Sequence, residues 1–434
     1  MIIQKIRHIL QNYLPNKIDI TTVIQNLIDF DKPNILKINS NTINIRDKIY
    51  IISIGKVAIR FLNAIISKAK QKNINIQDCI MVTDKKYTFE NHSNKILFSS
   101  HPYLSVESIN NTVQILDLLK QIDSNKTTII FLISGGASSM FEYPIIKPEL
   151  CIEIYKYILH QNLNIYQINT IRRFFSRVKS GKLLQYIPNS QVISLIISDV
   201  PLNDLSTIGS GITFLKQFSN DEIYEISQIL KPIIDHYNIH TTMRENFEIY
   251  NKIQEQNKNL DQVFHYIISD NTFAVLQVEN LLQTNGINAL PVCSHLNLKN
   301  QDLLNLIKSN ILTNINKTGI CYIFGGETSL QVDKEGYGGR LQHLSLQVLR
   351  EIKNIPTNKE IIFFAIATDG IDGNTTNSGC IVSNKLDIKL DKIEKYLESY
   401  KSGVFFENPK NTNLTIKIPP GLTNINEIYG VGIF

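Results

Sequence analysis

Tryptophan is absent from the 434-residue sequence, and cysteine occurs only five times. Cys79, Cys151, Cys293, Cys321 and Cys380 are widely spaced, and none forms a C-x-x-C pair. That argues against a zinc or thiol redox centre and reads as small buried hydrophobes in a reducing compartment. His236 and His240 stand at i, i+4 but lack the Glu of a zincin motif. Charge is sparse at 19%, and Lys+Arg 44 against Asp+Glu 39 leaves a net +5. So small a surplus, without a clustered basic face, excludes nucleic acid as the expected partner. Long apolar runs are missing too. The most apolar segment, Thr127 to Ile133, falls far short of the roughly 20 residues of a membrane span. Met1 to Leu14 has apolar residues at helical spacing with Lys5, Arg7 and His8 between them, and no h-region or cleavage site of a signal peptide. A soluble, cytoplasmic protein is expected, with no membrane partner. There is no repeat of fixed period.

What is present is globular composition, 43% hydrophobic. Asn and Ile are over-used along the whole chain, which reads as codon bias. Short apolar runs alternate with amphipathic stretches, the pattern of α/β units with a parallel sheet. Strands are expected at Ile49–Ile54, Cys79–Thr83, Ile96–Ser99, Thr128–Ile133, Gln191–Ile197, His265–Ser269, Gly319–Phe324, Ile361–Ala367 and Thr415–Ile418. Helices are expected between most of them, including Val57–Lys70, Val106–Ile122 and Ile152–Asn162. The polar segment His236–Leu260 is a candidate boundary, and Glu327–Lys334 alternates like a hairpin arm.

Polar residues and glycines fall where these strands end. Ile49–Ile54 runs into Gly55-Lys56, and Thr128–Ile133 runs into Ser134-Gly135-Gly136-Ala137-Ser138-Ser139. Gln191–Ile197 meets Ser198-Asp199, Gly319–Phe324 meets Gly325-Gly326-Glu327, and Ile361–Ala367 meets Thr368-Asp369-Gly370. Open α/β sheets bind ligands at the carboxyl ends of their strands. The Ser134–Ser139 turn can present backbone N–H groups to an anion, although no G-K-[ST] follows as in a Walker loop. Lys56 offers a compact charge, and Arg340, after Gly336-Tyr337-Gly338-Gly339, a planar fork of donors. Asp199 and Asp369 can hold Mg²⁺ or serve as a base. Asn169, Arg172, Ser176 and Lys179 form a basic stretch, with Arg172, Ser176 and Lys179 on one face if helical. Each has a plainer use when taken alone: a solvated Lys, a surface Arg, an Asp capping a helix or turn.

Taken in order, the motifs resemble the class II glycerate kinases, whose C-terminal half carries the MOFRL name. The family's strand-end G-K-A-A resembles Gly55-Lys56-Val57-Ala58, its H-P resembles His101-Pro102, and its S-G-G-G-S-A resembles Ser134 to Ser139. Its N-x-x-R-x-x-L-S-x-x-K resembles Asn169 to Lys179, and its S-D-V resembles Ser198-Asp199-Val200. Its G-G-E-T resembles Gly325 to Thr328, its G-x-G-G-R resembles Gly336 to Arg340, and its T-D-G-x-D-G resembles Thr368 to Gly373. The family's N-Q-E after that Arg reads Leu341-Gln342-His343 here, a departure at positions expected to face the ligand.

The resemblance implies two α/β domains, a Rossmann-like parallel sheet and a second mixed-sheet α/β domain, with an interdomain cleft. Their division is placed at residues 1–250, the kinase domain, and 251–434, the MOFRL-like domain. The implied activity is ATP-dependent, Mg²⁺-assisted phosphorylation of D-glycerate to 2-phosphoglycerate, with glycerate as small-molecule partner; a homodimer is left open. Lys56 and Arg340 would offset phosphoryl charge, and Asp199 would orient or deprotonate the hydroxyl or hold the metal. Ser134, Gly135, Gly136, Ser138, Asn169, Arg172 and Lys179, with Gly325, Gly326, Glu327 and Asp369, would bind substrate or nucleotide, and Glu327 is a second metal candidate. Two other readings stand beside this one. A decayed, non-catalytic binder is motivated by Leu341 and His343. A hydroxypyruvate reductase would need the G-x-G-x-x-G that the Gly55-Lys56 turn lacks.

Overall fold

A computed structural model describes residues 2–31, 34–84, 95–161, 163–216, 219–239, 248, 260–332 and 335–434. It contains two compact units, Ile24–Ile268 and Met1–Val23 joined with Ser269–Phe434. The division at 250/251 therefore differs from the structural one at both ends of the first unit. The N-terminal helix Ile2–Asn12 buries Ile3, Ile6, Ile9 and Leu10. Arg7 Nε donates to the Thr415 carbonyl at 2.6 Å, and the Ile20 N–H donates to the Leu422 carbonyl at 3.3 Å. These contacts span nearly the whole sequence, so no local pattern announces them. His240, most of His236–Leu260 and the far end of the expected hairpin arm lie outside the described residues.

In the first unit, β1 (Ile28–Asp31), β2 (Ile35–Ile38) and β3 (Asn41–Asn44) form an antiparallel meander. The main sheet comprises β4 (Lys48–Ile54), β5 (Ile76–Thr83), β6 (Lys95–Phe98), β7 (Thr127–Ile133), β8 (Gln191–Ile197) and β9 (Val263–Ser269). Its order is β6-β5-β4-β7-β8-β9, and β6 through β8 pair in parallel. Every residue of β7 and β8 is buried, as sheets covered on both faces require. Counted from β4, this order is 3-2-1-4-5-6, the doubly wound arrangement whose switch point lies between β4 and β7. A separate helical core packs Ile154, Ile158, Ile171, Phe175, Ile226 and Leu230. It fixes the helices Pro148–Leu159 and Ile165–Phe175, the latter started by an Asn164–Gln167 capping box.

The second unit is built on β10 (Asn288–Lys299), β11 (Ile320–Ser329), β12 (Ile361–Ala367), β13 (Gly379–Ser383), β14 (Thr415–Ile416) and β15 (Glu427–Ile433). The order is β10-β11-β15-β12-β13-β14, with β10 and β11 parallel and the remaining pairs antiparallel. The architecture is thus two α/β domains, one parallel sheet and one mixed. Glu327 does not open a hairpin. It lies near the end of β11, which runs unbroken to Ser329.

Candidate functional site

The switch point of the first unit is closed by two loops laced together. Ser134 N–H donates to the Ile54 carbonyl at 3.0 Å, and Lys56 N–H donates to the Gly135 carbonyl at 2.9 Å. Glycine is required at Gly55, where φ is +127° and a Cβ would lie 2.2 Å from Ser134 Oγ. Gly136, at φ +89°, starts the short helix Ala137–Met140. A Cβ there would sit 3.3 Å from His101 Nδ1 and 3.4 Å from Lys56 Cγ, so these residues are neighbours. His101 Nδ1 lies 3.0 Å from Ser139 Oγ. Burial, reinforced by Lys56 and Arg172 and opposed by Asp84, pushes the His101 pKa down to about 4. At neutral pH the imidazole is therefore neutral, with Lys56, Arg172 and Asp84 about it.

Arg172 comes from the helix Ile165–Phe175. Its guanidinium stands 5.7 Å from the Tyr155 ring centre, and its Nε has no hydrogen-bond partner among the described residues. Ser138 Oγ is 2.8 Å from Ser210 Oγ, whose hydroxyl donates to Asn169 Oδ1 at 3.4 Å. Asp199, half-buried, follows β8 beside these loops. Lys179 does not join them. It is fully buried, 2.8 Å from Glu142 Oε2, and it donates to the Phe141 carbonyl at 2.9 Å. The helix ends at Phe175, so Arg172, Ser176 and Lys179 share no helical face. Lys179 is a structural counter-ion rather than an open anion ligand. The Tyr155 hydroxyl lies 2.9 Å from Glu142 Oε2 and 3.0 Å from the Arg172 carbonyl oxygen, so this buried network sits beneath Arg172.

The second unit gathers a different set. Gly325, Gly326 and Glu327 lie toward the end of β11, where Gly326 pairs in register with Glu427 at the head of β15. Arg340, first residue of the helix Arg340–Lys353, pairs with Glu327 at 2.8 Å through NH2 and with Glu427 through Nε. Glu427 is buried, accepts the Thr328 N–H at 3.0 Å and accepts the Tyr429 hydroxyl. Burial pushes the Glu427 pKa up to about 7 against the pull of Arg340. Burial lowers the Arg340 pKa, but Glu427 and Glu327 overcome it and hold the guanidinium above its ordinary value. Asp372 accepts the Leu341 and Gln342 N–H groups at 3.1 and 2.9 Å, and so caps this helix from a distant loop. Asp369, at the end of β12, accepts the Ile371 N–H at 3.1 Å.

Leu341 is fully buried in the core. His343 is also buried, its ring stacked on Tyr400 with centres 5.3 Å apart. Leu341 therefore packs in the core and presents no group beside Arg340. Sequence reasoning missed Glu427, Glu142 and Tyr155, met His101 only as part of a motif, and read Asp372 as an Asp-Gly turn rather than as the cap of the Arg340–Lys353 helix. Among the described residues no group of three His, Cys, Asp or Glu could hold a metal. Mg²⁺ needs only one or two carboxylates beside phosphate oxygens and waters, and Glu327, 45% exposed, fits that requirement. No helix among the described residues is long and apolar enough to cross a membrane.

Residues 5–248 match the family model described as a domain of unknown function, DUF4147, and residues 320–427 match the MOFRL family. A glycerate 2-kinase of Picrophilus torridus is 31% identical over 379 residues, covering 86% of this chain and 86% of the relative. A glycerate 2-kinase of Sulfurisphaera tokodaii is 27% identical over 380 residues, 87% of this chain and 88% of the relative. The crystal structure of a Pyrococcus horikoshii protein is similar with a TM-score of 0.80 at 26% identity, covering 99% of this chain and 98% of that one. Fold, cationic strand ends and relatives together define an α/β phosphotransferase. The chain belongs to the glycerate kinase family, with its DUF4147 and MOFRL regions.

Proposed function

We propose that this protein transfers the γ-phosphoryl group of ATP to the 2-hydroxyl of D-glycerate, giving 2-phosphoglycerate and ADP. The observation that carries the reading is the switch point. Lys56 and Arg172 flank a glycine turn in which the Gly135 and Gly136 N–H groups have no backbone partner among the described residues. Such a place suits a carboxylate or a phosphoryl group. Phosphoryl transfer asks chiefly for positioning and charge neutralisation. Lys56 would offset charge on the transferring group, and Arg172 with Ser138 and Asn169 would orient the acid. Asp199 would orient or deprotonate the attacking hydroxyl. Arg340 would meet nucleotide phosphate oxygens, and Glu327, with Asp369 as second candidate, would hold Mg²⁺. The metal would screen the phosphate charge. The strand order is shared with dinucleotide-binding sheets, but the Gly55-Lys56 turn lacks their glycine fingerprint, so the reductase reading gains nothing.

The test is ADP release from ATP and Mg²⁺ with and without D-glycerate. Release that depends on glycerate and is lost in Lys56→Ala supports the reading. Glycerate-independent release, or none from folded protein, overturns it.

A further inference from the structure

A hollow lies within the MOFRL-containing unit, with neither Arg340 nor Glu427 in its lining. It has a volume of about 410 Å³ and opens at the carboxyl ends of the two parallel strands β10 and β11. Lys299 and Ser329, the last registered pair of those strands, both line it. Its other walls include Asn300, Tyr400, and His343 and Gln347 of the helix Arg340–Lys353. The volume falls in the range of small-molecule sites, and parallel strand ends are where α/β sheets place ligands.

The lining is chemically specific. Asn300 is only 4% exposed, yet neither its Oδ1 nor its Nδ2 has a hydrogen-bond partner among the described residues. His343 Nδ1 and Gln347 Oε1 are likewise buried without partners. Unmet buried polar atoms are costly, and a ligand that supplies donors and acceptors repays them. The His343–Tyr400 stack gives the hollow a flat aromatic element. Burial, then Arg350, lowers the His343 pKa to about 4, so the imidazole is neutral. Among the described residues Lys299 is the one charged residue of the lining. Amides, a neutral imidazole and stacked rings fit a neutral planar heterocycle better than an anion. An Asn or Gln amide can pair two-pronged with an adenine edge, and aromatic rings stack on its face.

The position connects this hollow to the phosphate-handling residues. Arg340, His343 and Gln347 stand at i, i+3 and i+7 and share one face of their helix. At 1.5 Å per residue, His343 and Gln347 lie about 4.5 and ~10 Å along the axis from Arg340. On β11, Glu327 and Ser329 are two residues apart and point to one side of the sheet. We propose that this hollow holds the purine base of the nucleotide, with the phosphate chain running along the helix toward Arg340. The inference rests on the kinase reading and adds to it the residues that recognise the base.

The experiment is calorimetric titration of the full chain with ADP and, separately, with inorganic tripolyphosphate, which has no base. Two variants are compared with wild type. Gln347→Leu removes an amide at nearly constant size, and Ser329→Trp fills the hollow from an exposed strand end. We expect at least tenfold weaker ADP binding in both, with tripolyphosphate affinity changed less than twofold. The KM for ATP should rise while kcat stays within threefold. ADP affinity within twofold of wild type in a variant of unchanged Tm, with glycerate-dependent turnover intact, overturns the base site and leaves the kinase standing. Equal losses for ADP and tripolyphosphate also overturn it, because the hollow would then be an anion site. A wild-type chain with neither nucleotide binding nor turnover overturns the kinase reading, and this inference with it.

Discussion

The two units carry cations in opposite electrostatic settings. At the β4–β7 switch point, Lys56 and Arg172 flank a neutral His101, and the nearby buried carboxylate, Glu142, is committed to Lys179. In the second unit Arg340 is held between Glu327 and Glu427. In the first arrangement neither Lys56 nor Arg172 has an ion-pair partner among the described residues, although Asp84 acts on the same imidazole, so an anionic ligand can pair with either cation. The second is already compensated, so its guanidinium is rigidly aimed. One site attracts, and the other positions. The distinction rests on which carboxylates are free, a property of packing more than of motif.

The largest expected effect separates support from chemistry within the first unit. Lys179→Met leaves Glu142 buried without its counter-ion, and breaking such a pair costs about 3–5 kcal/mol. Urea unfolding should show that loss, whereas a Lys179 that served only as a ligand contact would leave the midpoint unmoved. Next come the two cations themselves. Removing a charge-stabilising donor costs about 10²–10³ in kcat, and we expect that range for both Lys56→Ala and Arg340→Ala. Their stabilities should differ. Lys56→Ala should unfold like wild type, because it relieves crowding of like charge. Arg340→Ala should lose about 1–3 kcal/mol, because Glu427 remains buried without its counter-ion. Equal unfolding midpoints would erase the contrast between the units.

The contrast also has a sign in pH. Burial raises the Asp372 pKa from 3.8 to about 6 in the second unit. The folded state then holds the proton more tightly, so this stability is complete below pH 3.8 and is lost as pH rises through about 6. His101 in the first unit is lowered from 6.5 to about 4, so its stability is complete above 6.5 and is lost as pH falls through about 4. Unfolding midpoints between pH 4 and 6.5 should therefore shift with opposite slopes on substitution. Asp372→Asn should make stability rise more steeply with pH, and His101→Gln should make it rise less steeply. Slopes that moved together would contradict the assignment.

Much of the first unit was legible because β4, β7 and β8 are near-continuous runs of Ile, Val, Leu and Phe that run into Gly or Ser, and the strand bounds follow. The second unit was less so. β15, central in its sheet, contains Gly430 and Gly432, which break the apolar run. Those glycines answer to packing, since a Cβ on Gly430 would lie 2.1 Å from the Phe364 ring. With that strand unseen, Glu427 had no visible place beside Arg340. β10 is largely half-buried or exposed and lacks a clear period, so it too was missed. Lys179 was misread for a related reason. A basic residue in a basic stretch resembles a ligand until its buried partner, 37 positions earlier in sequence at Glu142, is seen.

The smallest expected effect tests how finely the first unit is tuned. Ser139 Oγ lies 3.0 Å from His101 Nδ1 and donates to the Gly136 carbonyl at 3.2 Å. A hydroxyl has one proton to give. If that proton serves Gly136, then Nδ1 must carry its own hydrogen and donate to Ser139. The Nε2 lone pair of His101 is then bare, and the imidazole can only accept a proton at that atom. Ser139→Ala removes the lock, costing about 1 kcal/mol of stability, and should lower kcat/KM about fivefold. Nitrogen NMR of His101 reads the tautomer directly. Wild type should show a protonated Nδ1 and a bare Nε2, and the variant a mixture. An unchanged tautomer in Ser139→Ala would mean that the Gly136 turn, not the serine, orients the ring.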